Sequence, residues 1–315
     1  MEKQFNNLPR GAKILSASEV SDTDLGALKS LQGEWHSKKG SGTGWNVIAV
    51  PGPGRGGFIL EVIPYYEELK FTPAVMAGNR GPFIDGEESV QQVTGLIYEQ
   101  RVFSDCDTEF CNERGFGKGV ELHAETGMLL NITNFNEDNT LNIGRLGTIP
   151  HGNSILLLGK SSQTQNTGDF KIPASSVMPS GVEGSLPFGY SEGQYNNDHV
   201  GFADFDIRNP NGSLQKAIDG KKITDLITLD LSSKNGTGGI LNIPFIQDHI
   251  DANKMVCTYW IQTLEDGSKQ LQYSQDINLV FPATETTAQV NWPHVGLNTL
   301  EFIGKASINS QLSIT

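Results

Sequence analysis

The run Met255-Val256-Cys257-Thr258-Tyr259-Trp260-Ile261-Gln262-Thr263-Leu264, then Glu265-Asp266-Gly267-Ser268, then Gln270 to Phe281, decides the fold class. β-Branched and aromatic residues crowd both runs, and the link between them carries Asp-Gly, a strong short-range signal for a hairpin. Two runs joined so tightly form an antiparallel pair. A third, Val290 to Phe302, follows after a short polar link.

The same punctuation extends toward the N-terminus. Ile223 to Leu231 is a strand candidate. Thr140 to Thr148 and Ser154 to Leu158 form a hairpin around Pro150-His151-Gly152-Asn153. Val120 to Ile132 holds two short runs split near Thr126-Gly127. Val90 to Phe103, Tyr66 to Phe71, Phe58 to Ile63 and Trp45 to Val50 complete about ten strands. Sequential hairpins in such number predict an all-β fold, an antiparallel up-and-down β-barrel of about ten strands, wide enough to hold a ligand inside.

Helix is scarce. Ser21 or Asp22 caps a short one whose stripe is Leu25, Leu28 and Leu31, with Gly33 at its C-terminal end. Residues 1–30 are therefore an N-terminal tail and short helix, and 31–315 a single barrel domain. Residues 160–221 interrupt the strands. They are rich in Ser, Gly, Asn and Pro, with one helix expected from Asn211 through Leu214 and Ile218 to Gly220. An excursion of that length is usually functional, and a lid over a barrel opening is expected.

Composition removes several function classes. With 36 acidic against 23 basic side chains the formal net charge is −13. That disfavours a nucleic-acid binder, which needs clustered Lys and Arg, and a polybasic membrane-surface protein. No stretch has the ~20 apolar residues of a membrane-spanning helix. Met1 to Arg10 lacks the apolar core of a secretory signal. Cys106, Cys111 and Cys257 do not make a disulfide framework; Cys106 and Cys111 flank a polar loop and could pair or bind a metal, but free thiols are the favoured reading, and a cytoplasmic location is expected.

No HExxH, CxxC, GxSxG or helix-opening GxGxxG is present. Chemistry therefore has to come from histidines. In Val290-Asn291-Trp292-Pro293-His294-Val295-Gly296, the two-residue period puts Trp292, His294 and Gly296 on one strand face. A tryptophan, an imidazole and a residue without a side chain would suit a planar ligand; the bland alternative is an edge histidine facing water. His123 lies in an alternating strand, and His151 in a turn where a barrel mouth would be. His36, His199 and His249 sit in polar contexts without a chemical partner in the pattern.

The order of these pieces resembles the nitrobindin family of haem-binding β-barrels, which are related to lipocalins and fatty-acid-binding proteins. The resemblance rests on Gly33-Glu34-Trp35, Tyr66-Glu67-Glu68-Leu69-Lys70-Phe71, Tyr98-Glu99-Gln100-Arg101, Leu122-His123-Ala124-Glu125-Thr126-Gly127, the hairpin through Pro150 and Gly152, and Pro293-His294. The chain is also similar to a larger group of haem-binding proteins called FMP-type and labelled peroxidases. There the shared stretches are Leu31-Gln32-Gly33, Trp45-Asn46, Asn79-Arg80-Gly81, Ile149-Pro150-His151-Gly152, Asn209-Pro210-Asn211, Asn242-Ile243-Pro244-Phe245, Leu271-Gln272-Tyr273-Ser274-Gln275 and Trp292-Pro293-His294. The chain departs from nitrobindins in its length, its excursion, and Trp45-Asn46 in place of a Gly-Tyr-Pro-Thr stretch.

The resemblance implies haem b as cofactor, with His294 as the iron ligand and Trp292, Gly296 and Trp45 beside it. His123, or His151, stands as the base on the distal side. Arg101 and Arg145 are candidate propionate partners, against the alternative of structural ion pairs with Glu99 or Asp105. The implied activity is toward nitric oxide, peroxynitrite or peroxide, either peroxidase-like or peroxynitrite-isomerase-like. Two alternatives compete with it: a non-haem carrier of a lipid or other apolar molecule, and an interaction protein with a filled barrel.

Overall fold

A computed structural model describes residues 13–52, 55–135, 140–181, 199–200, 205–283 and 288–305. The barrel strands are β1 (Gly33–His36), β2 (Gly44–Pro51), β3 (Phe58–Ile84), β4 (Glu87–Ser104), β5 (Glu121–Ile132), β6 (Ile143–Ile149), β7 (Asn153–Gln165), β8 (Ile223–Ser232), β9 (Asp251–Leu264), β10 (Lys269–Phe281) and β11 (Val290–Gly304). Each pairs antiparallel with its neighbour in sequence from β3 to β11. The ring closes because β1 and β2 both bridge β3 and β11. This is the expected all-β, up-and-down barrel of about ten strands. The β9–β10 turn falls at Glu265–Ser268, with Gly267 at φ 83°.

Three elements differ from the sequence reading. Phe58–Ile63 and Tyr66–Phe71 belong to one 27-residue strand that also runs through Pro64 and Pro73. Pro73 is tolerated because the β3–β4 register slips between Pro73 and Met76, where no ladder donor is required. The N-terminal tail contributes a strand, Lys13–Leu15, paired with Met76–Gly78 on the part of β3 beyond the ring. Gly33 opens β1 rather than ending a helix. The helix α1 (Asp22–Leu25) is capped by Ser21 and stops at Gly26, at φ 55°.

Leu25, Leu28 and Leu31 fulfil their expected role. Each is at most 1% exposed, and together they plug one end of the barrel against Trp35, Leu69 and Phe71. The Trp35 indole donates to the Leu31 carbonyl at 2.7 Å. The lower interior above this plug is apolar, filled by Leu96, Leu129, Leu157, Leu229, Ile261, Leu271 and Leu300.

The excursion begins later than expected, since β7 continues through Gln165 and pairs with β8. The Ser161-Ser162-Gln163-Thr164-Gln165 run has no apolar alternation to announce it. The described part of the excursion lies against the outside of the wall and is not a lid. Ile172, Val177, Phe205 and Ile207, with Leu214 and Ile218 of α3 (Gly212–Ile218), pack on Val47, Trp260, Val295 and Leu297. Those four alternate with inward residues, so the wall is apolar on both faces here and needs cover. Residues 182–198 and 201–204 of the expected lid lie outside the described residues. Cys106 and Cys111, read as free thiols, form a disulfide across a five-residue separation, the second cysteine lying within α2 (Glu109–Glu113). Thr108 caps that helix, accepting from the Cys111 amide, and so turns the second cysteine toward the first. The expected cytoplasmic location leaned on free thiols and loses that support. No helix among the described residues is long and apolar enough to cross a membrane.

Two glycines set the wall's fit. A Cβ on Gly127 would strike the Leu146 carbonyl and come within 2.7 Å of the Tyr98 hydroxyl; one on Gly147 would meet Tyr98 and the Glu125 carboxylate. Gly127→Ala should therefore destabilise the barrel by about 1–3 kcal/mol through overpacking. Chemical denaturation checks this, with Gly239→Ala, which meets nothing within 4 Å, as the contrast.

Candidate functional site

Above the apolar plug the interior turns polar in two steps, and above these it is hollow. The first step is a buried ion pair. Arg145 Nη2 donates to Glu125 Oε1 at 2.8 Å, with both side chains 1% exposed. The Tyr98 hydroxyl donates to the same oxygen. Arg145 Nη1 reaches Cys257 Sγ and Gln275 Oε1, each at 3.2 Å. Its guanidinium also lies over the Tyr98 and Tyr259 rings. Burial alone would push the Glu125 carboxyl up. The Arg145 charge, with hydrogen bonds from His123 and Tyr98, outweighs it and holds the group at about 2.

The second step is Glu67, fully buried. Its Oε2 accepts from the Tyr273 hydroxyl at 2.5 Å and from Gln100 Nε2 at 3.3 Å, and its Oε1 has no partner. Burial pushes this carboxyl up to about 7, against the pull of those donors and of Arg145. Tyr65 completes the group, with its hydroxyl 2.7 Å from that of Tyr273 and 3.0 Å from the Leu297 carbonyl.

Over these layers lies a cavity of about 380 Å³, within the range of small-molecule and cofactor sites. Its floor includes Tyr65, Gln100 and Tyr273. Ile48, Val102, Ile155, Met255 and Ile277 form much of its wall. His123, His151 and His294 all line it, although 171 positions separate the first from the last (294 − 123). The His123 and His151 rings stack with centroids 5.8 Å apart, and His123 Nε2 lies 3.4 Å from Glu125 Oε2. His294 Nε2 lies 2.8 Å from Asn46 Oδ1. Burial, then His123 and His151, lower the His294 pKa to about 4; burial, then His123, also lower that of His151. At neutral pH both are neutral imidazoles. Among the described residues no cluster of His, Cys, Asp and Glu could hold a bare metal ion.

Local irregularities aim these side chains. The β4–β5 register slips between Val102 and Phe103, so Leu122 and His123, adjacent in sequence, both line the cavity. His151 sits in the β6–β7 turn, where Gly152 takes φ 101°. The mouth is covered by the segment 239–250. Its strand Gly239–Asn242 pairs with β7, and α4 (Pro244–His249) follows. Ile240, Ile246 and Ile250 face the cavity, while Leu241, Ile243 and Phe245 stand 50–76% exposed. The Ile243 amide donates to the Gly152 carbonyl at 2.9 Å.

The cavity thus gathers His123, His151, His294 and Gly296 but not the other sequence candidates. Trp292 is buried beside Phe58, Phe281 and Val290, 5.4 Å from the Phe58 ring. Trp45 lies against Phe205 on the outer side, with ring centroids 4.5 Å apart. Arg101 is on the surface, paired with Glu121 at 2.9 Å rather than with Glu99 or Asp105. Arg145 is committed to Glu125. Sequence reasoning passed over Glu67, Tyr65, Tyr273, Gln100 and Asn46; only the inward period-2 parity of Tyr65-Glu67-Leu69 hinted at a carboxylate inside the barrel.

Fold and site together define an antiparallel barrel with a histidine-lined internal cavity. No family model matches the chain, and no curated protein matches it. Among solved structures, the crystal structure of Rv2717c from M. tuberculosis is similar at a TM-score of 0.40 and 17% identity, covering 89% of this chain and 98% of that chain.

The two buried carboxylates act oppositely on stability. Glu125, held below the ordinary ~4.3, adds stability that is present above that pH and is lost as pH falls toward 2. Glu67, held above it, binds its proton more tightly when folded, so stability falls as pH rises from ~4.3 through 7. Urea denaturation at pH 5 and 8 should show a loss on the order of 3 kcal/mol in the wild type that Glu67→Gln largely removes. Equal losses in the two proteins would contradict this. Arg145→Met, which strands a buried charge, should cost about 3–5 kcal/mol at pH 7.

Proposed function

We propose that this chain is a haem-binding β-barrel protein that handles a small reactive molecule, with His294 as the residue that would hold the iron of a b-type haem. The observation that carries this is the convergence of three imidazoles on one largely apolar cavity, two of them kept neutral by burial. The donor chemistry fits the group. An iron-ligating histidine needs one ring nitrogen bound to an acceptor and the other bearing a lone pair. Asn46 Oδ1 supplies the acceptor at Nε2, which leaves the lone pair on Nδ1. Gly296, one step along the same face, presents no side chain of its own to the cavity.

Haem bound there would supply an iron site for nitric oxide, peroxynitrite or peroxide. The chain's own part is to exclude water with the isoleucines of 239–250 and to present His123 and His151. Glu125 orients His123 by accepting at Nε2, so that the other ring nitrogen faces the occupant as a base. Among the described residues no arginine is free beside it to stabilise developing negative charge, which favours ligand binding or isomerisation over strong peroxidase turnover.

A second reading, a non-haem carrier of a lipid or other apolar molecule, is favoured by one observation: among the described residues no Lys or Arg lines the cavity to meet haem carboxylates. One titration separates the two. Haemin added to the purified protein should give a Soret band that His294→Ala abolishes and His123→Ala retains. Asn46→Ala should weaken haem binding about 10–100-fold. Absence of the band, with displacement of a fluorescent fatty acid that is indifferent to His294→Ala, would establish the carrier instead.

A further inference from the structure

The layer beneath the cavity carries hydrogen atoms whose direction depends on one carboxyl. Tyr65, Tyr273 and Gln100 line the floor, and Glu67 lies behind them. When Glu67 is ionised, the Tyr273 hydrogen is committed to its Oε2. The Tyr65 hydrogen then serves either Tyr273 or Leu297. Gln100 Nε2 is engaged by Glu67 Oε2 and the Tyr273 oxygen. These floor groups then have no hydrogen left to donate upward, and Glu67 Oε1 stays buried without a partner, a costly state. When Glu67 carries a proton on Oε2, that proton is donated to the Tyr273 oxygen. The Tyr273 hydrogen is then released, free to serve the Tyr65 oxygen or an anionic acceptor in the cavity, the stronger of the two.

The groups facing Glu67 are few. They are Tyr273 on β10, Gln100 on β4, Tyr65 on β3, Asn298 on β11 and the Arg145 guanidinium on β6. The Asn298 amide is already engaged, donating to Ser37 Oγ at 2.9 Å. Arg145 is the one cation among them and is shared with Glu125. The interior therefore tolerates one negative charge at this level more readily than two.

We propose that Tyr273, backed by Glu67, forms a subsite in the cavity floor for the carboxylate of an aliphatic acid, and that binding takes up one proton onto Glu67. The exchange leaves the charge of this layer unchanged. The ligand's carboxylate replaces that of Glu67, and the proton that neutralises Glu67 comes from solvent. The apolar wall of Ile48, Val102, Ile155 and Ile277 receives the alkyl chain. This subsite stands on the cavity geometry and does not require haem.

The test is calorimetric titration of octanoate into the full chain at pH 6.5 to 8.5, in two buffers of different ionisation enthalpy, with 1-octanol as the uncharged comparator. Octanoate should bind with net uptake approaching one proton at pH 8.5, and its affinity should fall nearly tenfold per pH unit above pH 7. Octanol should bind without proton uptake. Glu67→Gln, whose amide donates as the protonated acid does, should bind octanoate with no proton uptake and little pH dependence. Tyr273→Phe should lose at least about tenfold in octanoate affinity and not in octanol affinity, roughly the worth of a hydrogen bond to a charged group. Thermal unfolding of both variants establishes that they are folded. Failure of octanoate to bind, pH-independent binding to the wild type, or proton uptake that persists in Glu67→Gln would overturn the proposal. A Soret band in the haemin titration would stand in any of these cases.

Discussion

The Arg145–Glu125 pair organises the barrel interior. A guanidinium and a carboxylate, each 1% exposed, are kept charged only because each is the other's solvent. Tyr98 adds a donor to Glu125, and Gly127 and Gly147 are bare so that the Tyr98 ring can reach it. The pair fixes the register of β4, β5 and β6 relative to one another, since a shift of one residue would turn a charge toward the outside and leave its partner buried alone. It also anchors His123 through Glu125 Oε2 and Gln275 through Arg145 Nη1. The cavity above is therefore shaped by electrostatics below it.

That arrangement explains why the sequence revealed the barrel more readily than the site. Strand content, meander order and the Leu25-Leu28-Leu31 plug follow from local periodicity and turn residues, and these were legible. The continuous strand through Pro64 and Pro73 was not, because proline reads as a break; at Pro73 a register slip cancels its usual cost in a sheet. Arg101 and Arg145 look alike in sequence. One lies on the surface against Glu121 and the other is fully buried against Glu125, a difference set by which face of the wall each strand turns inward. Trp292 and His294 share a strand parity, yet Trp292 is drawn among Phe58, Phe281 and Val290 while His294 faces the cavity. The excursion lies outside the wall as expected, but its seat on the wall's flank rather than over an opening was not legible, because local sequence cannot reveal that the wall beneath it is apolar on its outer face.

Polarity inside the barrel is graded along its axis. The plug end is hydrocarbon, the middle holds one ion pair and one acid of raised pKa, and the far end is hollow with imidazoles in its wall. Among the described residues of these interior layers, Glu67 Oε1 is the buried side-chain atom left without a hydrogen-bond partner. Such an interior gains less stability than an all-apolar core of equal volume, because buried charges return little beyond their desolvation cost. What it gains is a cavity whose lining is held in place from behind.

The segment over the mouth sets a clock. Ile240, Ile246 and Ile250 close the hollow, yet the strand leading into α4 is four residues long, and Leu241, Ile243 and Phe245 turn to solvent. A piece with so few buried contacts opens far more often than the barrel unfolds. For any molecule held in the hollow, residence time would then follow how often this short flap lifts. The Ile243 amide bond to the Gly152 carbonyl is then the latch that would set that frequency.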